Sequence, residues 1–150
     1  VSRPLEPSLA LDDQLCFALY AASRAMTAAY RPLLEPLGLT YPQYVVMLVL
    51  WERDGCSVRS IGARLSLDSG TLTPLLKRLE SNGLVRRQRS SADERVVEVF
   101  LTTEGKRLRR RAKSIPGSLM CRYGGEPADI AALREALVAL TQKIRAAEGR

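Results

Sequence analysis

Residues 67–105 read LDSGTLTPLLKRLESNGLVRRQRSSADERVVEVFLTTEG. Leu72, Leu75, Leu76 and Leu79 recur at helical spacing and place one apolar face on a helix. Asn82-Gly83 closes that helix, because glycine takes the left-handed conformation without steric cost. Residues 66–70 read as the turn before it. Pro74 is awkward for a long helix, so either the regular helix begins near Thr73 or its first turn is distorted. Two β-prone runs follow, residues 84–88 and 96–101, joined by the polar loop Ser90-Ser91-Ala92-Asp93-Glu94-Arg95.

Upstream, Ser57 or Ser60 caps a short helix carrying Ile61 and Leu65. The helix before it, through Trp51, is apolar nearly all round and therefore buried. Thr40 or Tyr41 caps it, Pro42 takes the favoured first position, and Asp54-Gly55 stops it. From Leu11 to Leu34, the apolar residues Leu15, Leu19, Ala22, Met26, Ala29 and Leu33 predict a long helix. Asp12 and Asp13 suit its first turn, and Pro32 and Pro36 mark its end. Residues 1–7 read as an arm.

Downstream, Thr102 or Thr103 caps a helix rich in Lys and Arg between Lys106 and Lys113. Pro116-Gly117 and Gly124-Gly125 are expected to break the chain around Cys121. A last helix starts at Pro127, where Ile130, Leu133, Leu137, Leu140 and Ile144 form a heptad seam. The expected fold is mainly α with one small β-hairpin. Residues 57–101 outline a winged helix-turn-helix within a single domain spanning 1–150. Helices over 8–35 and 102–147 carry apolar faces too large for a small winged lobe to cover, which predicts a homodimer, with an intramolecular helical layer as the competing arrangement.

Composition narrows the function. Lys and Arg number 23 against 16 Asp and Glu, a net charge of +7 that suits a polyanion, with a membrane surface as the competing partner. There is no histidine, so Ser-His-Asp catalysis and His-ligated zinc are excluded. No cofactor or metal is expected. Cys16, Cys56 and Cys121 are dispersed and odd in number, a poor disulfide framework and a pattern suited to a reducing cytoplasm. The longest apolar run falls far short of the roughly 20 residues that span a membrane.

The helix closed by Gly83 is the expected recognition helix. Ser69, Thr71, Thr73, Lys77 and Arg78 form its polar side, small hydroxyls near the start and cations further along. The loop after residue 89 would be the wing. Arg95 at its tip suits the negative minor groove, with Asp93 holding it by a local ion pair. Arg86, Arg87 and Arg89 would meet phosphates. The basic run from Lys106 to Lys113 is as readily a solvated helix face.

These residues resemble the DNA-binding lobe of the MarR family of winged-helix regulators, and the likeness extends over nearly the whole chain. It implies a homodimer on a pseudo-palindromic double-stranded operator, usually as a repressor. Leu15-Cys16-Phe17-Ala18-Leu19-Tyr20, then Tyr30, then Leu39-Thr40-Tyr41-Pro42-Gln43-Tyr44 resemble the organic hydroperoxide resistance branch. That resemblance implies that Cys16 senses peroxide and that Tyr30 and Tyr41 contact it across the dimer. It further implies that Cys121 resolves the oxidised thiol as an inter-subunit disulfide.

The chemistry is coherent by itself. Thiolate is the nucleophile toward peroxide, and a helix start favours negative charge. Asp12 and Asp13 oppose that, so tyrosine hydroxyls are needed as donors, and Tyr20 lies one turn from Cys16. Cys56 reads as a spectator. Three other readings compete: a regulator controlled by a small aromatic ligand, a thiol peroxidase using Cys16, and a constitutive architectural DNA binder. No peroxidase motif is present, so an enzyme is not expected.

Overall fold

The computed structural model describes residues 8–123 and 125–149. The arm over residues 1–7, and Gly124 of the expected glycine break, lie outside them. The chain divides into two compact units, one ending at Lys113 and the other beginning at Ser114.

The first unit opens with a 3-10 turn, Leu11–Asp13, followed by helix α1, Leu15–Leu34. This corrects the expected start at Leu11. Asp12 and Asp13 belong to the separate turn, and Gln14, in an extended conformation, caps α1 instead. Pro32 does not end α1. A proline in the last turn forfeits one backbone bond and the helix runs on to Leu34. Pro36 sits in the 3-10 turn Glu35–Leu37 that follows.

Helix α2, Tyr41–Glu52, starts with a reciprocal cap. The Gln43 amide donates to Thr40 Oγ1 at 3.4 Å and the Thr40 amide to Gln43 Oε1 at 3.0 Å. Val46, Met47 and Leu50 on α2 are wholly buried, so α2 is the axis of this unit. Ile61, Leu72, Leu76, Leu79, Val85 and Val99 pack into the same core.

A two-residue strand β1, Cys56–Ser57, precedes helix α3, Val58–Leu65, which Ser57 caps. Helix α4 is Ser69–Ser81, with Asp68 as its cap, accepting from the Thr71 amide at 2.7 Å. Ser69 and Gly70 are therefore helical, and the turn shrinks to residues 66–68. The helix begins four residues before Thr73 with Pro74 inside it, where only the bond to the Gly70 carbonyl is forfeited. Its end follows the expectation. Gly83 adopts φ +73°, its amide donates to the Glu80 carbonyl and the Leu84 amide to that of Leu79.

Strands β2, Val85–Arg89, and β3, Val97–Leu101, form the hairpin. The sheet is antiparallel in the order β1-β3-β2, with Arg86 opposite Phe100 and Arg87 opposite Val99. Helix α5, Thr103–Ala112, is capped by Thr102.

The second unit holds helices α6, Ile115–Tyr123, and α7, Pro127–Glu148. The expected break at Pro116-Gly117 is absent. Proline is favoured in a first helical turn, so Pro116 starts α6 rather than interrupting the chain, and Cys121 is helical. On α7, Leu133 is 62% exposed, Leu137 38% and Ile144 51%, and Leu140 is partly buried. Among the described residues, no single helix is long and apolar enough to cross a membrane.

Candidate DNA interface and thiol site

Helix α4 and the hairpin are built from one covalent stretch, and the tight turn at Gly83 sets their mutual position. Leu72, Leu76 and Leu79 anchor one face of α4 in the core, which turns Thr71, Lys77 and Arg78 to solvent. Ser69 and Thr73 lie toward the hairpin. With Arg59, Arg87, Asp93 and Arg95 they line a cleft of about 990 Å³ between α3, α4 and the hairpin tip. The structure thus brings five of the expected DNA-contacting residues, Ser69, Thr73, Arg87, Asp93 and Arg95, to one cleft, and leaves Thr71, Lys77, Arg78, Arg86 and Arg89 off its lining. Arg59 was not anticipated. Its only sequence signal is a cation at the start of the helix before the turn.

At the hairpin tip the Asp93 carboxylate accepts from the Arg95 amide at 3.0 Å. It also accepts from Arg95 Nε at 3.1 Å and Nη2 at 3.2 Å. The Arg95 side chain and then its amide hold the Asp93 carboxyl below the usual carboxylate range. Arg95 nonetheless stays 90% exposed, an oriented cation projecting from the loop. Arg89 reinforces the loop by donating to the Glu94 carbonyl at 2.8 Å. The Asp68 carboxyl is lowered by the Thr71 amide and hydroxyl, which keeps the cap charged at the start of α4.

The three strand arginines have different surroundings. Arg87 is engaged by Glu80, through its amide at 2.8 Å and Nη2 at 3.1 Å. Arg86 lies on the other face of the strand, its guanidinium 4.7 Å from the Phe100 ring centre and bonded to Gln88. Only Arg89 extends toward the tip.

Cys16 is the second residue of α1 and is exposed. Asp12 and Asp13 lie in the separate turn before α1 rather than in its first turn. Tyr20 is one turn on and exposed, its hydroxyl accepting from Arg24 Nη1 at 3.2 Å. Tyr30 and Tyr41, eleven positions apart in sequence, meet with ring centres 4.8 Å apart. Tyr44 joins them, 5.7 Å from Tyr30 and 6.3 Å from Tyr41. Burial, and then Tyr41, push the Tyr44 hydroxyl above its ordinary pKa. The sequence signal for Tyr44 was its place one turn after Tyr41 on the same helix. Tyr20 is not among these ring contacts.

Arg24, Thr27, Arg31, Leu39, Thr40 and Tyr41 line a second cleft of about 500 Å³. Cys121 is exposed on α6, in the other unit. Cys56 is buried, its thiol donating to the Arg53 carbonyl at 3.0 Å, a structural role. Among the described residues no group of three or more His, Cys, Asp or Glu could hold a metal.

A capped, outward-facing helix N-terminus beside an arginine-tipped hairpin defines a winged-helix DNA-binding protein. The family model for the transcriptional regulators SarA/Rot matches residues 28–111. The organic hydroperoxide resistance transcriptional regulator of Bacillus subtilis is 48% identical over 136 residues, 89% of this chain and 91% of that protein. Reduced AbfR bound to DNA, a Staphylococcus epidermidis protein, superposes with a TM-score of 0.76 at 36% identity, covering 89% of this chain and 94% of that one. Disulfide-formed AbfR gives 0.65 at 37% identity, covering 87% and 92%. CouR of Rhodococcus jostii bound to p-coumaroyl-CoA gives 0.76 at 29% identity, covering 89% and 95%. The chain belongs to the MarR and SarA/Rot winged-helix transcriptional regulators, in the organic hydroperoxide resistance branch. It is a DNA-binding regulator of transcription.

Proposed function

We propose that this protein is a homodimeric repressor that leaves its operator when an organic hydroperoxide oxidises Cys16. The observation that carries this reading is an exposed thiol in the first turn of α1, with a tyrosine one turn away. The Cys16 thiolate attacks one peroxide oxygen, the O–O bond breaks, and the alkoxide takes a proton and leaves as an alcohol. Cys16 becomes a sulfenic acid. The thiolate of Cys121 of the partner subunit then attacks that sulfur, forming the disulfide and expelling hydroxide, which takes a proton from solvent to become water. Tyr30 and Tyr41 of the partner subunit, together with Tyr20, donate hydrogen bonds to the Cys16 thiolate. Leu15 and Phe17, both exposed beside the thiol, favour an organic over a small hydrophilic peroxide.

Ser69, Thr71, Thr73, Lys77 and Arg78 read the major groove, Arg86 contacts phosphate, and Arg95, oriented by Asp93, enters the minor groove of a pseudo-palindromic duplex. The uncovered stripes of α1 and α7 supply the dimer seam. The likeness to AbfR, solved with DNA and in a disulfide form, supports both halves of this proposal.

The test is operator release by cumene hydroperoxide in a gel-shift assay. Cys16→Ser protein should stay bound, and its release at the wild-type dose would defeat the proposal. Oxidised wild type should run as a covalent dimer without reductant, and Cys121→Ser protein should not.

A second reading is favoured by the 500 Å³ cleft with Arg24 and Arg31 on its walls and by the likeness to CouR. In it an aromatic acid or its thioester fills that cleft and Cys16 is spectator. Release of Cys16→Ser protein from DNA by such a ligand would establish it.

A further inference from the structure

Trp51, the single tryptophan of the chain, lies on α2 seven residues after Tyr44. Seven residues are two turns, so the two rings share a helix face. Their centres are 6.3 Å apart, edge to face. Tyr44 in turn touches Tyr30 and Tyr41. At the other end, the buried Trp51 Nε1 donates to the Gly105 carbonyl at 2.9 Å, joining α2 to the first turn of α5.

Gly105 is a crowded junction. A side-chain carbon built on it would overlap the Leu84 carbonyl oxygen, so only glycine permits this approach. That same carbonyl accepts the Thr102 amide at 3.0 Å, and Thr102 Oγ1 donates to the Gly83 carbonyl at 2.6 Å. The Gly105 amide closes the knot by donating to Thr102 Oγ1 at 3.0 Å. Gly83 and Leu84 are where α4 ends and β2 begins, and Thr102 is where β3 ends. The recognition helix and both strands of the wing are therefore tied to the residue that Trp51 holds.

We propose that Trp51 is a positioning residue that couples the tyrosine cluster to the DNA-reading parts. Movement of the Tyr30–Tyr41 pair turns the Tyr44–Trp51 face of α2, and the indole carries Gly105 with it. The base of the wing and the end of α4 follow together. The proposal rests on the redox reading above and names the joint through which that signal passes. Packed cores are bistable rather than continuously deformable, so a small turn of two edge-to-face rings is enough to select the second arrangement.

The test uses full-length reduced protein, cumene hydroperoxide and labelled operator. Emission from Trp51 should shift on oxidation with the same time course as operator release, and should not shift in Cys16→Ser protein. Trp51→Phe keeps an aromatic ring and removes the donor. Its Cys16 should oxidise at the wild-type rate by thiol titration, and its reduced form should bind operator within about threefold of wild type. The ratio of reduced to oxidised affinity should fall by about tenfold, as expected when a coupling rather than a contact is lost. A packing role alone would lower the melting temperature and leave that ratio unchanged. Full release by Trp51→Phe, or wild-type release with unaltered emission, overturns the proposal while leaving the redox reading intact. Failure of wild type to release at all overturns both. If Trp51→Phe does not fold, the emission time course decides.

Discussion

The Glu80 carboxylate holds the backbone amide of Arg87 at 2.8 Å and its guanidinium at 3.1 Å. Glu80 is in the last turn of the recognition helix and Arg87 in the first strand of the wing. The carboxylate thus spans the Gly83 turn and joins α4 to the hairpin. The Arg87 side chain, then its amide, holds the Glu80 carboxyl below the usual range.

Glu80→Gln should loosen this joint. The amide keeps an acceptor for Arg87 N–H but loses the charge pair, whose side chains are 26% and 38% exposed and which contributes no more than about 1 kcal/mol. The melting temperature should fall by about 3 °C. The sign with pH is set by the lowered carboxyl. Its contribution is complete above the ordinary glutamate pKa and disappears as pH falls through the depressed folded value. Melting curves of wild type and Glu80→Gln should therefore differ at neutral pH and converge in acid. A gap that persists at low pH would show that the charge is irrelevant.

Asp93→Asn should leave the fold intact and release Arg95 from its two-point grip. Operator affinity should drop by roughly tenfold, about the cost of one oriented groove contact. Because the Asp93 carboxyl is also lowered, wild type should lose this advantage only as pH falls below the usual carboxylate range. Anisotropy titrations at several pH values measure it. Equal affinities at neutral pH would refute the orienting role.

Lys77→Ala and Thr73→Val separate charge from base reading. Lys77→Ala should weaken specific and random DNA alike and reduce the salt slope of log affinity by about one unit. Thr73→Val should weaken the operator with little change on random DNA or in the slope. Identical behaviour of the two variants would place α4 outside the major groove.

Leu137→Asp on α7 should break self-association. A carboxylate forced unpaired into an apolar seam costs several kcal/mol, so dimer affinity should fall at least about a hundredfold. Sedimentation velocity should then find monomer with native helix content. An unchanged dimer would move the interface away from the α7 stripe.

Local chemistry carried the outline of the molecule. Thr40, Ser57 and Thr102 cap helices where hydroxyl residues precede apolar periodicity, and Gly83 ends α4 with the positive φ that only glycine takes cheaply. Pro127 starts α7 for the same kind of reason. Prolines misled wherever their effect depends on position within a turn. Pro32, Pro74 and Pro116 all lie inside helices: Pro32 and Pro74 each forfeit one backbone bond, and Pro116 forfeits none because it falls in a first turn. The two-residue strand β1 was invisible, since it exists only through pairing with β3 some forty residues away.

By itself, then, the sequence determined the class of the protein. Apolar spacing, caps and a polar loop with Asp93 and Arg95 are short-range features, each set within a few residues. Only the tertiary structure decided what meets what. It put Tyr44 with Tyr30 and Tyr41, gave Glu80 to Arg87, and set Trp51 on the Gly105 carbonyl across 54 positions. Such contacts come from burying whole helix faces together. No local pattern records which side chains that burial will bring into reach.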